Sequence, residues 1–220
     1  MLFARDTPED ETVVALLASA LRRDISFGVL RPDEKLKLDA LRKRYGGSNH
    51  SMRETLRTLV AEGMVEATNQ RGFRVTSATE ADLQDILLVQ IEVGKLGLAR
   101  SLERGGVSWE ASVIAAQHQL AHADQQVQDN PDDITALQWD EASRLHADAL
   151  ISACDSPRLL SMSRVIYNQS RRFRLACLRE GRFNFSERAE RRDALRSAIV
   201  ARDERAALAL FEESTRADMT

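Results

Sequence analysis

The chain has little that would mark a secreted, membrane-bound or metal-structured protein. Cys154 and Cys177 are its only cysteines in 220 residues, far apart and without metal-ligand spacing. A disulfide framework is therefore excluded as the basis of the fold, and a reduced, cytoplasmic setting is expected. No apolar run approaches the length needed to span a bilayer. The opening Met1-Leu-Phe-Ala-Arg-Asp6 meets charge too early for the apolar segment of a secretory signal. There is no internal repeat and no low-complexity segment. The scattered Cys and His residues suggest no nucleophile-and-base pair, so an enzyme is not expected, and both cysteines read as core fillers.

Strong net charge is also lacking: the formal value is −3, which by itself does not point to nucleic acid. Its distribution does. From Lys35 to Arg74 nine Lys and Arg face four acids, an excess of +5 over forty residues. Residues 79–220 carry 18 basic and 23 acidic side chains, a balance of −5. A basic module joined to an acidic one fits a DNA-binding domain attached to a domain with another task.

What is present in quantity is helical periodicity. The spacing predicts a first helix over about 9–27, with Val13, Leu16, Leu17, Ala20, Leu21 and Ile25 as its apolar stripe, ended by Gly28. Leu38 to Tyr45 forms a short second helix stopped by Gly46-Gly47. Ser48 can cap a third, which carries Met52, Leu56, Leu59 and Val60 at helical spacing and stops at Gly63. Two extended runs, Met64 to Thr68 and Phe73 to Thr76, flank a turn with Gly72 at its tip. Helix, helix, turn, helix and β-hairpin is the order of a winged helix-turn-helix, placed over 1–76. A linker at 77–79 leads to an all-α remainder over 80–220, with segments at 80–104, 108–129, 131–153, 156–179, 185–202 and 203–218. Pro131 suits the first turn of the third segment. The fold class is thus mainly α: an N-terminal winged helix-turn-helix plus an antiparallel bundle of six to seven helices.

The third helix turns Asn49, His50, Arg53 and Arg57 towards solvent, where side chains on a helix in the major groove meet bases and phosphates. Lys37 and Ser48 lie beside them, and Arg71 and Arg74 flank Gly72, which lets backbone approach a phosphate or the minor groove. With Gly28-Val-Leu-Arg-Pro32, Met52-Arg-Glu-Thr-Leu56, Glu62-Gly-Met-Val65 and Arg71-Gly-Phe-Arg-Val75, the chain resembles the GntR family of bacterial transcription regulators. The family's common S-R-T-P-V-R-E stretch is here Ser48-Asn-His-Ser-Met-Arg-Glu54. Arg53 is kept while Asn49 and His50 are substituted, so the operator should differ from the usual family site.

The remainder resembles the FCD effector domain of that family, through Ile91-Glu92, Leu145-His146-Ala-Asp-Ala-Leu150, Ser156-Pro157-Arg-Leu-Leu160 and the stretch Glu190 to Ala207. The resemblance implies a helical bundle that binds a small acidic metabolite and dimerises. Many such domains hold a divalent metal with one Asp and three His. Carried over by position, these fall on Ala142, His146, Arg191 and Ser214. One ligand of four remains, so neither metal nor other cofactor is expected.

Glu92, His146, Arg191 and Ser214 read as polar groups aimed into the bundle, and each then needs a partner or a ligand. Arg191 either pairs with Glu92, leaving a purely structural domain, or binds a ligand carboxylate with help from His146 and Ser214. Arg171, Arg172 and Arg174 read as solvated surface, with a place at the pocket mouth or against the DNA-binding domain as alternatives. The expected protein is a homodimeric, ligand-responsive regulator that binds palindromic double-stranded DNA, represses an operon for a small organic acid, senses a small carboxylate and has no membrane partner. A non-sensing DNA-binding dimer and a metal-dependent sensor are the rivals.

Overall fold

The computed structural model describes residues 8–68 and 72–218. The chain divides into two compact units, Met1–Asp82 and Leu83–Thr220.

The first unit runs α1 (Pro8–Ser26), β1 (Lys35–Leu36), α2 (Leu38–Tyr45), α3 (Asn49–Ala61), β2 (Val65–Thr68) and β3 (Gly72–Val75). The strands form an antiparallel sheet in the order β1-β3-β2, with Lys35 opposite Arg74 and Val65 opposite Val75. The two-residue β1 was not foreseen, because so short a strand has no alternation to read. Leu17, Leu21 and Ile25 of α1 meet Met52, Leu56 and Leu59 of α3, and Val65 and Val75 close the core from the sheet. The buried stripe of α1 is rotated from the expected one: Val13 and Leu16 are exposed, and Ala18 is buried instead.

Two polar ties fix α1, one to the end of α3 and one to α2. Arg22 forks onto Glu62 at 2.9 and 2.8 Å. The buried Asp24 accepts from the Tyr45 hydroxyl at 2.6 Å and from Arg44 at 3.1 Å. Burial, then the hydrogen bond to Asp24, raises the Tyr45 hydroxyl above the usual phenol range. Residues 77–79 carry local hydrogen bonds. Thr79 and Asp82 bond reciprocally through backbone and side chain, and Ser77 donates to the same carboxylate.

The second unit holds α4 (Glu80–Arg104), α5 (Val107–Asp129), α6 (Asp133–Ile151), α7 (Pro157–Arg179), α8 (Phe185–Val200) and α9 (Glu204–Ala217). Short connections stack them as an antiparallel bundle. Asp132 and Thr135 cap α6 reciprocally, so Pro131 precedes the cap rather than occupying the first turn. The core gathers Leu98, Trp109, Ile151, Leu159, Leu195, Ile199 and Phe211. On α4 this core face includes two glycines, because neighbours fill the space of their side chains. A Cβ on Gly94 would run into the Phe211 ring, and one on Gly97 would lie 2.8 Å from Ile151 Cγ2. Both cysteines are buried and free. No helix among the described residues is long and apolar enough to cross a membrane.

Candidate nucleic-acid interface and buried cavity

The N-terminus of α3 is built by a capping box. Ser51 N donates to Ser48 Oγ at 3.0 Å, and Ser48 N donates to Ser51 Oγ at 2.9 Å. The Ser48 hydroxyl is therefore engaged in starting the helix, as its residue type allows. From this cap, Asn49, His50, Arg53 and Arg57 all project on the exposed face, while Met52, Leu56 and Leu59 are fully buried.

The cations of this face differ in freedom. Arg53 has no hydrogen bond or ion pair among the described residues, whereas Arg57 is paired with Glu54 one turn back. Arg42 was not singled out by sequence, yet its guanidinium reaches Asn49 Oδ1 at 3.3 Å and the Gly47 carbonyl at 3.4 Å. That contact uses the Asn49 acceptor. Lys37 is exposed immediately before α2. In the wing, Arg74 donates to the Asp33 carbonyl at 2.9 Å, so it braces the sheet as well as facing solvent. Gly72 has φ +91°, a conformation that side chains other than glycine adopt only with strain. Arg71 lies outside the described residues. An exposed helix face with Arg53, Asn49 and His50, beside a basic wing, can meet phosphates and base edges together.

The second unit contains a cavity of about 100 Å³. His146 and Ser214 line it, as expected from sequence. Glu92 does not: it is exposed, between Leu88 and Leu96, which are themselves 57% and 56% exposed. Arg191 does not line it either, and pairs with Glu187 at 3.6 Å and Asp218 at 4.0 Å. The alternative in which Arg191 pairs with Glu92 is therefore not formed, and Arg191 pairs with other acids. The inward face of α8 is one residue round from the expected one and presents Arg188 and Arg192, with Leu195 continuing the same stripe.

Arg188 is 4% exposed and Arg192 and His146 8% each. Arg192 Nη2 binds Asp124, which also accepts from Trp139 Nε1 at 2.8 Å. Arg188 lies against the faces of Phe183 and Trp139, with centroids 4.4 and 5.3 Å from its guanidinium carbon. Its Nη1 is 2.8 Å from Asp218 Oδ1 but out of hydrogen-bond line. Nε and Nη1 of both arginines, with Ser143 Oγ and Ser214 Oγ, have no hydrogen-bond partner. Buried N–H groups without acceptors are costly.

Arg174 also reaches the cavity, so α7 contributes a buried cation where solvated surface was expected. It is fully used, forking onto the buried Asp140 at 3.1 and 2.8 Å, with Arg171 on the other carboxylate oxygen. Burial alone would raise the Asp140 carboxyl, but the charges of Arg174 and Arg171 outweigh it and hold the group below the usual carboxylate range. Burial, then the nearby Arg192 and Arg188, pushes the His146 imidazole down to about 4, so it is neutral at pH 7. A divalent metal does not fit this lining. His146 is its single imidazole, guanidiniums surround it, and among the described residues no three His, Cys, Asp or Glu side chains converge as ligands.

A winged helix with an exposed basic reading face defines a DNA-binding regulator. Residues 15–75 match the model of the bacterial regulatory proteins of the gntR family. The chain is 31% identical over 191 residues to the HTH-type transcriptional repressor GlaR of Escherichia coli K12, covering 83% of each protein. It is 33% identical over 183 residues to the HTH-type transcriptional regulator BphR of Paraburkholderia xenovorans LB400, covering 83% of this chain and 74% of that one. The fold is shared with E. coli McbR/YncC, at TM-score 0.70, 20% identity and 93% coverage of both chains. A GntR regulator structure from Rhodococcus sp. RHA1 gives TM-score 0.69 and 22% identity over 93% of this chain and 94% of that one. The chain belongs to the GntR family and is a DNA-binding transcription regulator, not an enzyme.

Proposed function

We propose that the protein is a ligand-responsive repressor of the FCD type that acts as a homodimer on palindromic DNA and releases or holds it according to a small carboxylate. The N-terminus of α3 enters the major groove of one half-site per protomer. Arg53 and Asn49 face base edges there, and His50, Arg57, Arg74 and Gly72 lie near the backbone. Phosphate contacts supply most of the affinity and base contacts the selectivity. The ligand half of this reading rests on one observation: four guanidinium nitrogens without a hydrogen-bond partner, Nε and Nη1 of Arg188 and Arg192, on side chains more than nine-tenths buried beside a cavity. A carboxylate oxygen can accept a charge-assisted hydrogen bond from such a guanidinium N–H. His146, neutral, and Ser214 add donors without adding charge.

Fluorescence anisotropy tests both halves. DNA selected by the full-length protein should be an inverted repeat, and it should bind at least about tenfold tighter than one half-site. Adding organic acids in turn should shift that affinity for at least one of them, since a ligand acts only through differential affinity for two states. A half-site bound as tightly as the repeat would refute the dimer, and indifference to every acid would refute the sensor.

A further inference from the structure

Among the cations of the winged helix, Arg42 is held in a way that leaves its charge uncompensated. Arg22, Arg23, Arg44 and Arg57 are each closed on a carboxylate, of Glu62, Asp24 or Glu54. Arg42 instead donates to two neutral oxygens, from Nε to the Gly47 carbonyl at 3.4 Å and from Nη1 to Asn49 Oδ1 at 3.3 Å. The nearest acid, Asp39, stands 3.9 Å from Nη1 with a side chain 97% exposed, so water screens the pair and it contributes little. Nη2 has no partner among the described residues, and the Arg42 side chain is 39% exposed.

Arg42 belongs to α2, yet its guanidinium lies at the start of α3. The turn between the two helices, Gly46-Gly47, carries no side chains, and Gly47 is packed close against α1: a Cβ there would lie 2.9 Å from Leu17 Cδ1. Its carbonyl is therefore a fixed acceptor. The second acceptor is the side chain of the first residue of α3. Arginine carries donors only, so the Asn49 atom that meets it is the amide oxygen. Asn49 then lacks the free acceptor that a two-bond contact with adenine requires, in which the amide oxygen accepts from N6 and the amide nitrogen donates to N7.

Resting on the placement of α3 in the major groove, we infer that Arg42 is a specificity-determining residue for DNA and that Asn49 is its positioning residue. The Gly47 carbonyl and Asn49 Oδ1 hold the guanidinium on two sides and leave the N–H groups of Nη2 for a base edge beside the first turn of α3. Guanine suits a group that has only donors, because its N7 and O6 are both acceptors in the major groove, whereas adenine and cytosine each present an amino donor there. One position of each half-site is thus read by α2 and α3 together, and Asn49 acts on it through Arg42.

The test is fluorescence anisotropy of the full-length protein on the selected inverted repeat and on its single-base-pair variants. The proteins compared are the parent, Arg42→Ala, Arg42→Lys, Asn49→Ala, the double variant of Arg42→Ala with Asn49→Ala, and Arg53→Ala as a control on docking. Arg42→Ala should lower affinity about tenfold or more and level a preference for guanine at one position of each half-site. Lysine keeps the charge but not the planar guanidinium, so Arg42→Lys should recover part of the affinity and little of that preference. Asn49→Ala should weaken binding severalfold alone and add little in the double variant, because both changes remove one arrangement. The melting temperature of Arg42→Ala should stay within about 3 °C of the parent, since only two long hydrogen bonds to neutral oxygens are lost. An equal loss of affinity for every sequence would make Arg42 a phosphate contact, and additive losses would separate Asn49 from it; either result overturns the inference. A larger fall in melting temperature with no change in base preference would make Arg42 structural and overturn it as well. Unchanged binding by Arg42→Ala also overturns it, and the docking of α3 still stands if Arg53→Ala weakens binding. If Arg53→Ala is silent too, the docking reading fails with it.

Discussion

In the winged helix Arg53 and Arg57 stand on an exposed helix face, whereas in the helical domain Arg174, Arg188 and Arg192 are buried around a cavity. The side chain is the same, but water makes it two different instruments. On α3 the guanidinium is solvated, its fold-stabilising worth is small, and it is available to a polyanion at a cost set by salt. In the bundle every buried charge must be matched locally, so the arginines come with aspartates or with unpartnered N–H groups that call for an anion. Composition treats both groups alike as basic residues. Surroundings decide which of them reads DNA and which holds the bundle or a ligand.

The largest effect should come from breaking that local matching. Asp140→Ala leaves Arg174 buried without its carboxylate, and the loss should be about 3–5 kcal/mol in urea denaturation. Arg171 is the less buried of the two partners and has a way out to water, so most of the cost falls on Arg174. If Asp140→Ala costs less than about 1 kcal/mol, water reaches the pair and the contrast between the two units fails.

A second effect belongs to His146. Its folded pKa, about 4, is below the ordinary 6.5, because burial and the neighbouring Arg192 and Arg188 disfavour the cation. Between those values the unfolded chain binds the extra proton, so stability is complete above pH 6.5 and falls as pH drops towards 4. The full contribution is of order 3 kcal/mol or less. Denaturation of His146→Gln across that range should show a flatter acid limb than the parent; an unchanged limb would mean the imidazole is not buried as a neutral group.

How much of this was legible follows from the same contrast. The helices were readable almost to the residue, because long amphipathic segments bounded by caps and glycine are strong signals: α2 and α4 span what periodicity predicts. The reading face of α3 was also legible, since Met52, Leu56 and Leu59 mark its buried side at helical spacing. The faces of α4 and α8 were not. The inward side of α4 carries Gly94 and Gly97 while Leu88 and Leu96 point out, so counting apolar residues chose the wrong stripe and put Glu92 inside. On α8 the buried residues are Arg188, Arg192, Leu195, Ala198 and Ile199, two of them cationic. The spacing 188–192–195–199 was a usable signal, hidden by the expectation that arginine stays outside. Arg174 and Asp140 were hidden in the same way, because a buried ion pair looks in sequence like two solvated residues. His146 and Ser214 were found through family positions, and the cavity between them depends on tertiary packing.

The third prediction tests the exposed side of the comparison. Arg53→Ala should lower affinity for the selected inverted repeat by about tenfold or more and reduce the slope of log K against log salt if the lost contact is to phosphate. Its unfolding free energy should stay within about 0.5 kcal/mol of the parent, since Arg53 has no partner among the described residues. A variant that loses stability as well as DNA would show that Arg53 is structural.

The smallest effect is the most discriminating, because it acts on an arginine that is exposed and yet paired. Glu54 holds Arg57 across one turn of α3, with Arg57 67% exposed. Glu54→Gln should change stability by no more than about 0.5 kcal/mol, as exposed pairs at this spacing contribute little. On DNA the same change removes a negative charge from the face turned to the phosphates and frees the Arg57 guanidinium. Affinity should therefore rise a few-fold at low salt, and the gain should fade as salt screens the surface. A fall in affinity would mean that Glu54 aims Arg57 at its phosphate, and pairing would then matter on the exposed face as it does in the buried one.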